Sequence, residues 1–197
     1  CLLISSISCA KPKTGSDGAE ITDTLGNTVK LSEEAKVVSL YASFADCWML
    51  SGGTLVGVTE DAEEEHKLDI GKAEIVGSVK QPSLEKIVAL NPDYVILSAD
   101  LAAHISLKES LDSMGLAYGY FRVDTFEDYK ALMEQFCAVN NRPDLLEKNV
   151  TDVENKIADI KSKIPKTDKS VLLIRAFSTG MKAKRDDNLA GYILNEF

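Results

Sequence analysis

Residues 82–97 read PSLEKIVALNPDYVIL, and this stretch predicts a helix that leads directly into a buried strand. Pro82 and Ser83 are typical of a helix start. The helix should end at Asn91, because the residue before a proline is disfavoured in helical geometry. The uninterrupted apolar run 94–97 is typical of a strand that is covered on both faces. The apolar positions of the predicted helix recur at helical spacing, at Leu84, Ile87, Val88 and Leu90.

Similar strand and helix patterns lie on both sides of this unit. Further buried strands are predicted at 37–40, 55–58, 75–76 and 117–123. Helices are predicted at 44–50, 105–114 and 125–139, and a polar, acid-rich loop at 60–67. A hairpin is predicted at 21–31, turning about Gly26-Asn27. Alternating strands and helices are the pattern of parallel βαβ units, so the sequence predicts an α/β fold with a parallel sheet.

A long helix should follow this sheet. Pro143 suits a first helical position, and Pro165 should end the helix. About 20 residues at ~1.5 Å each give a length of about 30 Å, enough to join two lobes. A new strand is predicted at 171–174 and an amphipathic helix from Leu189 to the end of the chain. We therefore expect an N-terminal α/β lobe at 21–140, a linking helix at 141–165 and an incomplete second α/β lobe at 166–197.

Composition narrows the class of protein. Of the 197 residues, 45% are hydrophobic and 27% are charged, as in an ordinary globular protein. No apolar stretch approaches the roughly 18 residues that span a bilayer. The net charge of −9 argues against nucleic acid as a partner, because phosphates would be repelled. The basic residues Lys182, Lys184 and Arg185 form the one local cluster, read either as a solvated loop or as an anion contact.

Residues 1–20 are interpreted as a signal or lipoprotein tail followed by a tether. An apolar start gives way at Cys9 to a polar stretch rich in Lys, Gly and Ser. We expect Cys9 to be the lipid-modified residue, with Cys1 as the alternative and a misassigned start of the protein as a third reading. The remaining cysteines, Cys47 and Cys137, lie among apolar residues of predicted helices, which favours small buried side chains and leaves a disulfide between them open.

In open parallel sheets, ligands bind beyond the carboxyl ends of the strands, so residues just after each strand are the candidates. Arginine suits carboxylate, phosphate or catecholate oxygens, and a tyrosine can stack on a ligand or hydrogen-bond to it. We select Tyr41, Glu60 and Arg122 from the first lobe and Arg175 from the second as ligand-binding residues. The other residues in these positions are Ser43, Asp61, Ser78, Gln81, Ser98 and Asp100.

Signatures of catalysis are missing from the sequence. It contains no Gly-x-Gly-x-x-Gly after a strand, no phosphate loop, no Gly-x-Ser-x-Gly and no His-Glu-x-x-His. The two histidines form no motif: His66 follows three glutamates in what is either a solvated loop or a metal site, and His104 is a possible ligand contact. We therefore expect a binding protein without catalytic residues, a resident metal or a covalent cofactor other than a lipid.

The segments 37–59, 76–78 and 82–96 together resemble the long-helix, class III periplasmic substrate-binding proteins of ABC importers. The most specific part is Ser83-Leu84-Glu85 with Pro92-Asp93. The resemblance covers about residues 21–197 and implies two α/β lobes joined by a rigid helix. It further implies a monomeric receptor, anchored outside the cytoplasm, that takes a ferric siderophore, haem or cobalamin to an ABC permease.

In that family a glutamate in the first turn of this helix docks onto the permease, and the matching residue is Glu85. The corresponding glutamate of the second lobe would fall beyond Phe197, and family members are typically much longer, so the second lobe is expected to be cut short. A receptor for bare Zn²⁺ or Mn²⁺ is an alternative and would need several His or carboxylate ligands. A small-molecule enzyme on a doubly wound sheet is a further alternative.

Overall fold

The computed structural model describes residues 18–165, 170–184 and 189–196. The strands are β1 Ala19–Thr22, β2 Thr28–Leu31, β3 Val37–Ser39, β4 Leu55–Val58, β5 Glu74–Ile75, β6 Gly77–Ser78, β7 Gln81–Pro82, β8 Tyr94–Ser98, β9 Tyr118–Phe121, β10 Leu173–Phe177 and β11 Gly180–Lys184. The helices are α1 Ala42–Leu50, α2 Asp61–Glu64, α3 Leu84–Ala89, α4 Ala102–Ile105, α5 Lys108–Met114, α6 Phe126–Val139, α7 Pro143–Leu146, α8 Asp152–Lys163 and α9 Leu189–Glu196.

A five-stranded sheet forms the centre of the first lobe, in the order β5-β4-β3-β8-β9. All four neighbouring pairs are parallel, which confirms the prediction of a parallel α/β fold. Every residue of β8 is buried, as expected for a strand covered on both faces. Polar side chains that follow the strands therefore emerge together at one edge of the sheet.

The side chains of β8 alternate between two hydrophobic cores. Tyr94 and Ile96 belong to the core that α1 and α6 close with Trp48 and Phe136. The intervening residues of the strand belong to the opposite core, which α3 and α5 close; its members on these three elements are Val95, Leu97, Ile87 and Leu111. Burying one such large apolar side chain stabilises the fold by about 1.5–3 kcal/mol, so each helix is bound to the sheet through a few residues.

The predicted first hairpin is confirmed, and its turn covers the outer edge of β9. The Asp23 carboxylate accepts hydrogen bonds from the backbone N–H groups of Leu25 and Asn27 and, across to the sheet, from that of Tyr120 at 3.0 Å. The Thr24 N–H donates to the Tyr120 carbonyl at 2.8 Å. An exposed sheet edge can pair with another chain, and these contacts occupy it.

The helix predicted within residues 82–97 is α3, and it begins and ends as predicted. Ser83 is its N-cap, with Oγ accepting from the Lys86 N–H at 3.3 Å. After the helix Asn91 takes a left-handed φ of 46°. The expected apolar face is only partly buried, however: Ile87 is fully buried, whereas Val88 is 43% exposed.

Two local predictions were wrong in part, and one pair of strands was not predicted. The acid-rich loop at 60–67 contains the short helix α2, because Asp61 and Ala62 are buried against the sheet. The helix expected at 105–114 is α5, which begins only at Lys108, ends at Met114 as predicted and is followed by Gly115 in the left-handed conformation. A separate short helix, α4, precedes it. The antiparallel pair β6 and β7 follows β5 directly and had no recognisable pattern.

The predicted linking helix is present and contains a π-helical turn at Glu147–Thr151 between α7 and α8. Asn149 in this turn donates its Nδ2–H to the Leu50 carbonyl at 2.8 Å and accepts the Tyr129 hydroxyl at its own carbonyl at 3.2 Å. Val150 is buried, but the later residues of the apolar stripe are not, since Ile160 is 51% exposed. The helix is thus fixed to the first lobe through its first half.

Beyond residue 170 the described segments form an antiparallel hairpin, β10 with β11, and the helix α9. The strand predicted at 171–174 is β10, which begins two residues later and ends three residues later than predicted. Its partner β11 was not predicted. Apolar side chains on the hairpin and α9 are largely exposed, with Met181 at 75%. No helix in the described ranges is long and apolar enough to cross a membrane.

Cys47 and Cys137 are free thiols, so the open question of a disulfide is answered for this structure. Both contact one small core between α1, α6 and the linking helix. Burial raises the pKa of the Cys47 thiol to about 12, with a further contribution from Asp46. A thiol held neutral is a poor nucleophile, which fits the interpretation as small buried side chains.

Candidate functional site

Three of the four selected ligand-binding residues lie at the carboxyl-terminal edge of the central sheet. Tyr41 follows β3, Glu60 follows β4 and Arg122 follows β9. The strand order places Tyr41 near the middle of this edge, with Glu60 on one side and Arg122 two strands away on the other. Asp100 follows β8, the strand that lies between the strands of Tyr41 and Arg122.

Tyr41 is the N-cap residue of α1 and is half-buried. Its carbonyl accepts hydrogen bonds from the Phe44 and Ala45 N–H groups and from the Ser39 hydroxyl. The ring stands edge-on to Phe44, with centroids 5.5 Å apart. These contacts fix the backbone while leaving part of the phenol at the surface, where it can stack on a ligand or hydrogen-bond to it.

Arg122 forms an ion pair with Asp100, with 2.6 Å between Nε and Oδ1. Both side chains are about half exposed, at 45% and 52%, so the pair contributes only about 0.2–1 kcal/mol to stability. The pair does orient the guanidinium, which carries five N–H donors in a planar fork. Arg122 also lines a groove of about 250 Å³ between the first hairpin and α6.

Glu60 lies at the other end of the edge, on a second groove of about 320 Å³. Its side chain is exposed, and its backbone N–H donates to the Gly77 carbonyl at 3.0 Å. The lining residues of this groove come from the β4–α2 junction and from the β6–β7 hairpin; they are Glu60, Asp61, Glu64, Glu65, Ser78, Val79 and Lys80.

Asp61 has a structural role that the sequence did not reveal. The side chain is only 7% exposed, and its Oδ2 accepts the Ala42 N–H at the start of α1 at 3.0 Å. Its Oδ1 has no hydrogen-bond partner in the described part of the chain. An acidic stretch usually predicts a solvated loop, so only the long-range contact with Ala42, 19 residues earlier, distinguishes this carboxylate.

His104 is a buried connector and not a surface contact for a ligand. The ring is fully buried; Nδ1 accepts the Ser98 N–H at 3.0 Å, and Nε2 lies 3.0 Å from the Val79 carbonyl. Because Nδ1 accepts, Nε2 must carry the proton and donate it, so the ring is neutral. Burial lowers the pKa of His104. The hydrogen bond to the Val79 carbonyl and the charge of Asp61 raise this pKa, but by less. His104 thus joins Val79, which lines the groove beside Glu60, to the end of β8.

The other selected residues are placed as follows. Arg175 lies on β10, opposite Lys182 of β11, and is exposed in the separate hairpin of the second segment. Glu85 is exposed in the first turn of α3. His66 is exposed after α2. Cys9 and Cys1, the candidates for lipid modification, lie outside the described residues, as does Arg185 of the basic cluster.

Within residues 18–165, 170–184 and 189–196, no group of three or more His, Cys, Asp or Glu side chains is arranged to hold a metal ion.

These strands and helices define an α/β lobe with a parallel sheet, a long helix that follows it and a row of polar residues at one sheet edge. A family model for periplasmic binding proteins matches residues 37–197, and the chain belongs to this family. This confirms the resemblance to the class III periplasmic binding proteins of ABC importers.

Named relatives come from Bacillus subtilis. The chain is 31% identical over 176 residues to YhfQ, named as an ABC transporter substrate-binding lipoprotein, covering 85% of this chain and 53% of YhfQ. It is 26% identical over 178 residues to the Fe(3+)-citrate-binding protein YfmC, covering 84% of this chain and 56% of YfmC. The chain therefore spans about half the length of these curated relatives.

A solved structure confirms the fold. The crystal structure of the petrobactin-binding protein YclQ from B. subtilis superimposes with a TM-score of 0.75 at 22% identity, covering 91% of this chain and 65% of YclQ. The shared architecture extends through the linking helix, since so much of this chain is included.

The buried neutral His104 predicts a loss of stability in acid. An unfolded histidine takes up a proton near its ordinary pKa, about 6.5, whereas the folded ring does so only at lower pH. The free energy of unfolding should therefore fall as the pH drops below about 6.5, by at most about 1.4 kcal/mol per pH unit for this one group.

Urea unfolding at pH 7.5 and pH 5.0 measures this loss. His104→Gln should lower stability at pH 7.5 and show a smaller further loss at pH 5.0 than the unchanged protein does. His66→Gln is the control, because His66 is exposed, and should keep the full acid loss. Equal acid losses in the unchanged protein and His104→Gln would contradict this assignment.

Proposed function

We propose that this chain captures a ferric siderophore or a related ferric chelate outside the cytoplasm and delivers it to an ABC permease. The observation that supports this most is the row of Tyr41, Glu60 and Arg122 at the carboxyl-terminal edge of a class III lobe. An aromatic hydroxyl and an arginine fork suit the oxygen-rich surface of a chelate. Two relatives are named for Fe(3+)-citrate and for petrobactin, in agreement with an iron chelate as ligand.

The proposal extends to the location of the protein. YhfQ is named as a lipoprotein, and Cys9 is the residue of this chain that we propose as its lipid attachment point. Several acyl chains on such a cysteine would hold the receptor at the membrane, since one chain alone binds only weakly. The protein would act there as a monomer, with Arg175 contacting the ligand from the second segment.

Ligand binding tests the proposal directly. Isothermal titration calorimetry of the purified chain with ferric citrate, a ferric tris-catecholate, a ferric trihydroxamate, haem and cobalamin should reveal binding of at least one ferric chelate. Arg122→Ala should weaken that binding about tenfold or more, because a hydrogen bond to a charged group contributes about 1.5–3 kcal/mol.

Arg142→Ala is the matched control. Arg142 also pairs with an aspartate, Asp144, at the surface, but it lies between α6 and α7 and not at the carboxyl-terminal edge. Its replacement should leave the affinity unchanged. A folded protein that binds none of the ferric chelates, or an equal loss in both arginine variants, would refute the proposal.

We also propose that Glu85 docks onto the permease. The residue is exposed in the first turn of α3, on a helix fixed by its Ser83 N-cap and by buried Ile87. A carboxylate in a first turn also interacts favourably with the helix dipole, by about 0.3–1 kcal/mol, so removing it has a small cost in any case. An effect of replacing Glu85 on permease docking must therefore be distinguished from an effect on protein stability.

Uptake of radioactive iron by cells that produce the whole receptor makes that separation. Glu85→Ala should reduce uptake severalfold while leaving the affinity for the chelate unchanged. Glu127→Ala is the control, because Glu127 is exposed in the first turn of α6 and has the same relation to a helix dipole. Normal uptake with Glu85→Ala would show that this carboxylate does not dock.

A further inference from the structure

His104 is a buried ring that connects two segments beside the carboxyl-terminal edge of the sheet. Its Nδ1 accepts the Ser98 N–H at the end of β8, at 3.0 Å, and its Nε2–H donates to the Val79 carbonyl at 3.0 Å. Val79 lies in the turn between β6 and β7, 25 residues before His104 in the sequence. The ring is fully buried, so its two hydrogen bonds join these segments away from solvent.

The contact with Ser98 leads to the Arg122 end of the edge. The Ser98 hydroxyl accepts the Asp100 N–H at 3.2 Å, and the Asp100 carboxylate pairs with Arg122 Nε at 2.6 Å. His104 therefore holds the backbone two residues before the carboxylate that orients the guanidinium. A shift of this backbone would move Asp100, and with it the donors of Arg122. Ligand binding is strongest when such polar groups are already oriented.

The contact with Val79 leads to the Glu60 end of the edge. The Gly77 carbonyl, two residues before Val79 in the same hairpin, accepts the Glu60 N–H at 3.0 Å. Glu60 and Val79 line the same groove. Each strand of the β6–β7 hairpin has only two residues, and a small two-stranded hairpin depends on its surroundings for stability. The His104 ring therefore fixes the Glu60 end relative to the Arg122 end.

A proton on the ring would break this bridge. In a protonated imidazole both nitrogens are donors, so Nδ1 could no longer accept the Ser98 N–H. Two donors would then face each other in a buried position, which is costly. Burial lowers the pKa of His104 from its ordinary value of about 6.5, so the ring takes up a proton only at lower pH.

Titratable groups approach His104 from three neighbouring elements. The Asp61 carboxylate of α2 raises the pKa of the ring, though by less than burial lowers it. The Tyr120 hydroxyl of β9 donates to the His104 carbonyl at 3.1 Å, and burial raises the pKa of Tyr120 to about 12. Lys80 adjoins Val79 in the hairpin turn. Among these residue types, histidine is the one whose ordinary pKa lies between pH 5 and pH 8.

We propose that His104 is a positioning residue for ligand binding: its neutral ring holds the Arg122 and Glu60 ends of the edge in the arrangement that binds the chelate, and a proton on the ring weakens binding. This inference rests on the proposed function. His104 is fully buried and acts through Ser98 and Val79, without touching the ligand. Because the bound state favours the neutral ring, affinity should fall as the pH drops below about 6.5, by at most about tenfold per pH unit.

Affinities at pH 7.5 and pH 5.0 test the role of the proton. The probe is whichever of ferric citrate, a ferric tris-catecholate and a ferric trihydroxamate binds the unchanged protein in calorimetric titrations at pH 7.5. His104→Gln is the comparison, because its amide keeps an acceptor and a donor but takes up no proton in this range. The ratio of the two affinities at one pH cancels any change in the chelate itself. From pH 7.5 to pH 5.0, the affinity of His104→Gln relative to the unchanged protein should rise about threefold or more. His66→Gln replaces the exposed histidine and should follow the unchanged protein.

Removal of the bridge separates positioning from stability. His104→Leu removes both hydrogen bonds and should weaken binding about fivefold or more at pH 7.5. Asn140→Leu is the matched control, because the Asn140 amide is also buried and donates two hydrogen bonds, to Ser51 Oγ and to the Phe136 carbonyl. These contacts join the ends of α1 and α6 that are remote from the candidate site. Both variants should unfold at lower urea concentrations, but Asn140→Leu should keep its affinity for the probe.

The outcomes separate this inference from the function on which it rests. A constant affinity ratio between pH 7.5 and pH 5.0 overturns the positioning role and leaves the receptor for ferric chelates standing. The same holds for an unchanged affinity in folded His104→Leu, or for equal losses in His104→Leu and Asn140→Leu. Where circular dichroism shows that His104→Leu does not fold, the affinity ratio decides alone. Binding of no ferric chelate by the folded, unchanged protein overturns both proposals.

Discussion

Burial of the central sheet on both faces is the constraint on which the rest of the structure depends. In β8 the successive residues Tyr94, Val95, Ile96 and Leu97 point alternately into two separate cores. A strand of this kind must be covered by helices on both sides, and strands that are joined through such helices are parallel. The polar residues that follow these parallel strands then all lie at the carboxyl-terminal edge of the sheet. The position of the candidate site is therefore a consequence of how the sheet is packed.

The candidate site has charged side chains that are held in place at both ends of that edge. Asp100 orients the Arg122 guanidinium at one end, and Asp61 is held by the start of α1 at the other. His104 connects the edge to the β6–β7 hairpin through a neutral ring, which requires no compensating charge in the core. In ligand-binding sites generally, affinity and specificity depend on a few oriented groups more than on the area of contact.

Much of the fold could be predicted because local signals agree with tertiary packing. The strand at 55–58, the Ser83 cap and the end of α3 at Asn91 were read correctly from apolar runs and from the geometry of the residue before proline. Predictions failed where contacts between residues far apart in the sequence determine the local structure. Asp61 lies in a stretch that looks solvated, and its burial depends on Ala42. Neither the π-helical turn at Glu147–Thr151 nor the second strand of the β10–β11 hairpin had a recognisable signal.

We propose that the ligand binds at the carboxyl-terminal edge of the sheet, and the position of iron in a complex would locate the binding site. Crystals of the protein grown with a bound ferric chelate would give an anomalous difference peak at the iron absorption edge. We expect this peak beside Tyr41, between the Glu60 and Arg122 ends of the edge. A peak at the opposite edge, where Lys36 and Asp93 hydrogen-bond at the starts of β3 and β8, would contradict it.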